Sequence, residues 1–223
     1  WRMKSSGRSA ERETHLVKRE ATGPPVSRFT IVNKVNKVNK VNKVLVPIAD
    51  GTEEIEAVCL IDTLRRAGLD VTVASVDKLQ VTASRGVKLV ADMLIADCKN
   101  QTYDCIALPG GMPGAEHLRD SAALIDMLKK QKASGRLYGA ICASPVVALL
   151  PHGLLDGIKA TCYPSMRSEI SPTLARDERV VVDGHCVTSQ GPANAIEFAL
   201  KLIELLLGPQ KAKAVASPML VTV

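Results

Sequence analysis

Aromatic residues are scarce in this chain, which contains two Phe, three Tyr and one Trp among 223 residues. Nucleic-acid-binding surfaces usually combine a basic stripe with aromatic side chains on which bases stack, so we expect no specific nucleic-acid partner. Long apolar runs are missing as well. No stretch reaches the roughly 18 apolar residues that a membrane-spanning helix needs, and we therefore expect no membrane partner.

Cysteine pairs of the CxxC type are also absent. The cysteines are scattered, most of them lie within apolar segments, and the four histidines do not cluster with them. This pattern favours free thiols in a reducing compartment over a disulfide framework, and it predicts no zinc site. The six cysteines are Cys59, Cys98, Cys105, Cys142, Cys162 and Cys186.

Positive charge is concentrated at the start of the chain. The residues through Lys43 carry a net charge of +8, whereas the remainder carries −2. The Asn-Lys-Val triplet that repeats from Asn33 to Val44 has a period of three, which fits neither a helix face nor a strand. We predict a disordered basic tail over residues 1–43, with these repeats, and one folded domain over residues 44–223. The tail lacks an apolar signal core, so we expect a cytoplasmic protein, or a plastid protein if the tail is a targeting remnant.

Short apolar runs alternate with segments of helical periodicity, which predicts an α/β chain. Strand-helix-strand order with short loops favours parallel pairing, a mostly parallel sheet with helices on both faces, and a ligand site at the carboxyl ends of the strands. The predicted strands are residues 43–49, 71–74, 105–108, the run from Leu137, 159–163 and a hairpin of 180–182 with 186–188, with small edge strands or a hairpin within 81–91. The predicted helices begin at Thr52, Ser121, Pro145 and Gly191.

The first of these helices is predicted to have Thr52 as its N-cap and to end near Gly68. Its apolar positions recur at helical spacing and are expected to face the core. They are Ile55, Val58, Cys59, Leu60 and Leu64.

Cys142 lies where the strand from Leu137 meets the helix that Pro145 opens. A residue on such an elbow is held clear of the strand, and the first free N–H groups of the helix point toward it. Those donors favour an anion, so we expect the thiol to ionise more easily than an ordinary cysteine. The alternative is that Cys142 is a buried small apolar residue, as most free cysteines are.

Four segments together resemble the Parkinsonism-associated deglycase family of the ThiJ/PfpI superfamily. They are the strand and helix start over residues 44–58, the Leu-Pro-Gly-Gly loop over 108–111, the Ala-Ile-Cys-Ala elbow over 140–143 and the Thr-Ser-Gln-Gly-Pro segment over 188–192. The segments over 153–157 and 159–164 look most like plant members, which often carry two such domains where this chain has one. The resemblance implies a flavodoxin-like sheet sandwiched by helices, as in class I glutamine amidotransferases.

The resemblance makes Cys142 the nucleophile and Glu56 the acid group beside it. Partial burial would bring the pKa of Glu56 toward the working pH, although a solvated first-turn glutamate is the alternative. Gly111 and Ala143 match the positions whose backbone N–H groups form the oxyanion hole, with Gly110 beside them. A glycine turn that is needed only for tight packing is the alternative for Gly110.

Tyr163 stands where many relatives have a histidine next to the nucleophile. Tyrosine is a poor base at neutral pH, so proton transfer would fall on Glu56; a plain core tyrosine is the alternative. Arg85 matches an arginine near the pocket in relatives, where it would hold an anionic product. The resemblance also implies a homodimer.

The resemblance implies a glutathione-independent glyoxalase, or glyoxalase III, and protein deglycase. Its partners would be 2-oxoaldehydes such as methylglyoxal, or glycated protein, and it would need no cofactor. One alternative is an oxidative-stress sensor or redox-regulated chaperone that uses the same cysteine. A second is a cysteine amidase or protease, which the loss of the histidine disfavours.

Overall fold

A seven-stranded sheet forms the centre of the region that the computed structural model describes, residues 42–222. The predicted disordered tail over residues 1–43 falls almost wholly outside the described residues, so it stays a prediction. The strands are β1 (Lys43–Ile48), β2 (Asp70–Ser75), β3 (Gln80–Thr82), β4 (Lys88–Val90), β5 (Met93–Leu94), β6 (Cys105–Leu108), β7 (Leu137–Ile141), β8 (Val180–Asp183) and β9 (Cys186–Ser189).

Helices connect these strands and cover the sheet. They are α1 (Glu54–Arg66), α2 (Ile95–Cys98), α3 (Gly114–Asp120), α4 (Ala122–Ala133), α5 (Ala195–Leu207) and α6 (Pro209–Ala216). A π-helical turn (Pro145–Leu149) and short 3-10 turns (Leu150–His152, Pro164–Glu169, Pro192–Asn194 and Ser217–Met219) complete the described region. None of the helices within residues 42–222 has the length and apolarity to cross a bilayer.

The order of the strands confirms the predicted fold class. The sheet runs β5-β2-β1-β6-β7-β9-β8 and is parallel except for the β8–β9 pair, while β3 and β4 form a separate antiparallel hairpin. β6 lies between β1 and β7, so the carboxyl ends of these three strands meet at one edge of the sheet. The chain leaves this edge into α1, into the Gly110–Gly111 loop and into Cys142, which is where the α/β architecture places a ligand site.

Alternate residues of the central strands enter two cores on opposite faces of the sheet. Leu45 and Ile106 pack with α4 on one face, whereas Val44, Val46 and Ala107 pack with α1 and α5 on the other. Both faces of a parallel sheet are buried in this way, which explains the continuous apolar runs of β1 and β6. Rigid packing on both faces fixes the strand ends that carry the candidate site.

Residues 159–163 do not form the predicted strand. Ala160 makes an isolated bridge with Ala175, and Thr161 donates its N–H to the Thr188 side-chain hydroxyl instead of to a neighbouring strand. The Tyr163 N–H bonds to the Cys142 carbonyl oxygen at 2.8 Å. The backbone of this run therefore bonds to several separate neighbours, and only Tyr163 bonds to the elbow at Cys142.

The start and the exposed face of α1 also differ from the prediction. Glu53, and not Thr52, is the N-cap, because its carboxylate accepts the Glu56 N–H at 2.7 Å. The Thr52 hydroxyl instead accepts the Ala49 N–H at 2.9 Å and closes the preceding turn. Ile55 and Val58 are not core residues, since 53% and 47% of their surfaces are exposed.

Candidate active site

Cys142 lies on a strained elbow directly after β7, as predicted. Its φ is +64°, in the left-handed region that costs a non-glycine residue about 1–2 kcal/mol. Backbone hydrogen bonds hold this conformation from both sides: the Cys142 N–H donates to the Ser189 carbonyl at 3.0 Å, and the Cys142 carbonyl accepts the Tyr163 N–H. The neighbouring chain therefore fixes the direction in which the thiol points.

Ser144, two residues after Cys142, connects the elbow to the Gly110–Gly111 loop by a hydrogen bond. The buried Ser144 hydroxyl donates to the Pro109 carbonyl at 2.6 Å, across 35 residues of sequence. Pro145 then begins the π-helical turn, which confirms a helix start at this residue. The loop after β6 and the elbow after β7 are thus held together as one unit.

Glu56 is fully buried in the first turn of α1, which excludes the interpretation as a solvated surface glutamate. Its Oε2 accepts the Gly110 N–H at 2.7 Å. Its Oε1 has no hydrogen-bond partner within the described part of the chain. The carboxyl group as a whole interacts with the Cys142 thiol. The carboxyl group therefore has one oxygen fixed by backbone and one that is buried without a hydrogen-bond partner among the described residues.

Burial controls the protonation of this carboxyl group. Desolvation raises the pKa of Glu56 from 4.5 to about 7, against the opposing effect of hydrogen bonds from Gly110 and Cys142, while the nearby Glu53 charge raises it further. A group with this pKa changes its protonation state near neutral pH. Glu56 can therefore both accept and donate a proton under physiological conditions.

The expectation of an easily ionised Cys142 thiol is wrong. Burial and the adjacent Glu56 carboxylate raise the pKa of Cys142 to about 12, although the backbone N–H groups of Ala143 and Gly111 lower it. The N–H donors that lower the pKa of the thiol could be predicted from the sequence. The desolvation that raises it could not, because the burial of the elbow depends on tertiary packing. Since a neutral Glu56 no longer repels the thiolate, ionisation of Cys142 is coupled to the proton on Glu56.

Gly110 and Gly111 are needed for close approach at this site. A Cβ on Gly110 would lie 2.7 Å from the Cys142 Cβ and 2.9 Å from Glu56 Oε2, so any side chain would displace the pair. Gly111 has a φ of +93° and lies against the backbone of Gly51 and Glu53. The absence of side chains at these glycines therefore serves both tight packing and the geometry of the site. The interpretation as a packing turn and the interpretation as an oxyanion-hole loop do not exclude each other.

A cavity of about 460 Å³ opens above the thiol. No histidine belongs to the set of described residues that lines it. Cys142 lines this cavity and has 9% of its surface exposed. Tyr163 also lines the cavity and has 45% of its surface exposed, which excludes the interpretation as a core tyrosine. The lining residues are Glu53, Ser84, Arg85, Gly111, Met112, Cys142, Ala143, Tyr163, Ser165, Met166 and Pro192.

Glu54 is a site residue that sequence reasoning missed. Its carboxylate accepts the Ser84 hydroxyl at 2.9 Å and the Arg85 N–H at 2.8 Å. Burial pushes the pKa of Glu54 upward, but hydrogen bonds from backbone N–H groups and from Ser84 outweigh it and leave the pKa below its ordinary value. Glu54 thereby holds the turn that carries Arg85 at the cavity. The sequence did not distinguish Glu54 as a functional residue, because Glu53 and Glu56 are also glutamates at the start of the same helix.

Metal-binding geometry is not found in this part of the chain: within residues 42–222, no three His, Cys, Asp or Glu side chains come together as a possible metal site. All six cysteines are free thiols. The chemistry that the arrangement supports is thus nucleophilic attack by sulfur, proton transfer by a carboxyl group and stabilisation of an oxyanion by backbone N–H groups.

An α/β sandwich with a cysteine on a strand-to-helix elbow beside a buried glutamate defines a class of cysteine-dependent proteins. Residues 42–205 match the family model described as the DJ-1/PfpI family, and the chain belongs to that family. The resemblance stated from the sequence motifs is therefore confirmed.

Three relatives illustrate the similarity. Protein DJ-1 homolog B of Arabidopsis thaliana is 49% identical over 179 residues, which are 80% of this chain and 41% of that protein; the chain thus spans less than half of that relative. Glutathione-independent glyoxalase DJR-1.2 of Caenorhabditis elegans is 38% identical over 178 residues, covering 79% of this chain and 94% of that protein. The solved structure of Toxoplasma gondii DJ-1, oxidized, is 56% identical and matches with a TM-score of 0.81 over 82% of this chain and 100% of that one.

Proposed function

We propose that this protein is a glutathione-independent glyoxalase that converts 2-oxoaldehydes such as methylglyoxal to 2-hydroxy acids, with Cys142 as nucleophile. The observation that carries the proposal is the pairing of this strained, cavity-facing thiol with the buried Glu56, whose pKa of about 7 suits proton transfer. The relative from Caenorhabditis elegans that bears the glyoxalase name supports it.

The reaction begins with addition of the Cys142 sulfur to the aldehyde carbon, which forms a C–S bond and a hemithioacetal. Glu56 takes the thiol proton and delivers it to the aldehyde oxygen. Backbone N–H groups of Gly111 and Ala143, which lower the pKa of the sulfur, also stabilise negative charge on the substrate oxygen.

The second step is an internal redox change that needs no cofactor. Glu56 removes the proton from the former aldehyde carbon and returns it to the neighbouring carbon through an enediolate, so one carbon is oxidised to a thioester and the other reduced to an alcohol. Water then cleaves the C–S bond and releases the hydroxy acid and the thiol. Arg85, the cation that lines the cavity, binds the carboxylate of the product.

The test is lactate formation from methylglyoxal without glutathione. We expect Cys142→Ala to abolish it and Glu56→Gln to lower kcat by about 100- to 10,000-fold, the usual contribution of a general acid-base group. Matched controls are Cys59→Ala, which removes a thiol outside the cavity lining, and Glu178→Gln, which alters an exposed carboxylate. Equal rates in wild type, Cys142→Ala and Glu56→Gln would falsify the proposal.

Deglycation of protein uses the same sulfur adduct and is part of the proposal, with glycated protein as a second class of partner. Cysteine amidase activity is the weaker alternative. Amide hydrolysis needs an efficient general acid for the leaving amine, and no histidine is present among the described residues that line the cavity.

An oxidative-stress sensor is the second candidate function. The buried Glu56 carboxyl group interacts with the Cys142 thiol, so in its protonated form it can donate a hydrogen bond to an oxygen of oxidised Cys142. One peroxide converts the thiolate to a sulfenate and water, and a second peroxide yields the sulfinate. Intact mass after peroxide should show a gain of two oxygens in wild type and not in Cys142→Ala; no gain at Cys142 contradicts this role.

We also propose that two copies of the chain associate through α1. The support is the pair of exposed apolar side chains, Ile55 and Val58, on a helix whose opposite face is buried. Sedimentation at micromolar concentration should give a dimer for wild type and a monomer for Ile55→Glu with Val58→Glu. Leu205→Glu changes an exposed leucine on α5 and should remain dimeric; a monomeric wild type contradicts the proposal.

A further inference from the structure

Tyr163 forms part of the cavity wall and has no acid-base partner among residues 42–222. Its ring lies over the backbone of Gly191, since a Cβ added there would be 3.6 Å and 3.9 Å from two ring carbons. Within residues 42–222 the phenolic hydroxyl makes no hydrogen bond, and nearly half of the side chain is exposed to the cavity and solvent. The ring therefore presents a preformed aromatic face without being part of a proton relay.

Three further apolar side chains line the same space. Met112, Met166 and Pro192 contribute thioether and ring surface, and Met112 is half exposed. The charged lining groups are Arg85 and Glu53, of which Glu53 is engaged as the N-cap of α1. The space above the thiol is thus mainly apolar, with aromatic and sulfur atoms at its surface.

The cavity is larger than a three-carbon aldehyde requires. Its volume of about 460 Å³ falls in the range of roughly 300–1,000 Å³ that holds ligands of drug size. Methylglyoxal would leave most of this apolar surface in contact with water. A substrate with a planar ring on the ketone carbon would instead cover it while its aldehyde carbon reached Cys142.

From this arrangement we infer that Tyr163 is a specificity-determining residue and that the site selects 2-oxoaldehydes carrying an aryl substituent over methylglyoxal. The inference rests on the proposed glyoxalase function and names its substrate class. Offset or edge-on contact of the substrate ring with Tyr163, and sulfur-aromatic contact with Met112 or Met166, supply the preference. The chemistry of the reaction is unchanged, because the substituent does not take part in it.

The test compares kcat/KM for phenylglyoxal and for methylglyoxal in each variant. Dividing the ratio of a variant by the ratio of wild type removes the difference in intrinsic reactivity between the two aldehydes. We expect Tyr163→Phe to keep the wild-type ratio within about twofold. We expect Tyr163→Ala to lower the ratio by about five- to tenfold, mostly through KM of phenylglyoxal, which is the size of effect that one lost aromatic contact produces.

Tyr163→Leu is the matched control for apolar bulk without an aromatic face, and it should fall between Phe and Ala. Met112→Ala tests the sulfur contact independently and should lower the ratio as well. An unchanged ratio in Tyr163→Ala, with wild type active on both aldehydes, overturns the inference and leaves the glyoxalase function intact. No product from either aldehyde with wild type overturns both.

Discussion

Glu56 Oε2 accepts a 2.7 Å hydrogen bond from the Gly110 backbone N–H, across 54 residues of sequence. The bond joins the first turn of α1 to the loop after β6, and its acceptor belongs to the carboxyl group that interacts with the Cys142 thiol. The position of the proton carrier is therefore set by the backbone of a neighbouring strand end, which lies in the rigid centre of the sheet.

Gly110→Ala should damage stability and activity together. The added Cβ would lie within 3 Å of Cys142 Cβ, Glu56 Oε2 and the Ile141 carbonyl oxygen, so the elbow or α1 must shift. Overpacking of this kind costs about 1–3 kcal/mol of unfolding free energy. Thermal denaturation measures it, and the control is Gly191→Ala, whose Cβ would meet Tyr163 at an ordinary 3.6 Å. Equal melting temperatures for the two variants contradict the prediction.

Glu56→Gln should change how stability depends on pH. A carboxyl group with a raised folded pKa stabilises the fold fully below its ordinary value of 4.5 and loses that contribution as pH rises through about 7. Relative to Glu56→Gln, the unfolding free energy of wild type should fall by about 3 kcal/mol between pH 4.5 and 8. Chemical denaturation at several pH values measures the difference. Parallel stability curves for the two proteins would show that Glu56 is not desolvated.

The rate of the proposed glyoxalase reaction should rise with pH through about 7 and then stay level. The Glu56–Cys142 pair must lose one proton before the sulfur can attack, and the pKa of Glu56 is about 7. The second proton leaves only near the pKa of about 12 for Cys142, beyond the working range. A profile of kcat/KM against pH checks this. A falling limb below pH 9 contradicts the assignment, because it would require another titrating group.

Glu54→Ala should loosen the turn that carries Arg85. The substitution removes the acceptor of the Ser84 hydroxyl and of the Arg85 N–H. We expect a loss of about 1–2 kcal/mol of stability and weaker inhibition by the hydroxy-acid product, because Arg85 no longer holds a fixed position. Melting temperature and the product inhibition constant measure the two effects. Glu178→Ala, which changes an exposed glutamate, is the control and should alter neither.

The sequence was sufficient to predict the fold class, the elbow and the bounds of β6, because each rests on local pattern. The apolar run Cys105–Leu108 is bounded by polar residues and a Pro-Gly-Gly loop, and the strand coincides with it. Cys142 was found from the elbow pattern and Glu56 through motif resemblance, and the structure brings them together. The interpretation of Glu56 as a buried group is confirmed by its complete burial.

Other features depend on contacts that no local pattern encodes. The run over residues 159–163 has strand-like composition, yet its backbone donors bond to Cys142 and Thr188. Helical spacing placed Ile55 and Val58 with the core, whereas the face turned inward carries Glu54 and Glu56. The prediction of an easily ionised Cys142 was wrong for the same reason. Burial and a neighbouring carboxylate raise the pKa of the thiol, and both depend on tertiary structure.

Replacing Cys142 by Gly should give a more stable protein than replacing it by Ala. Glycine adopts a φ of +64° without steric cost, so the difference should be about 1 kcal/mol, or roughly 2–4 °C in melting temperature. Paired thermal scans of the two variants measure it. An Ala variant as stable as the Gly variant would show that the elbow relaxes once the sulfur is gone.

At position 142, the residue that gives the highest thermal stability is therefore not the residue that gives a reactive thiol. Any programme that selects this chain for heat resistance alone will be drawn to replace the residue at 142, and will discard its reactive sulfur in doing so.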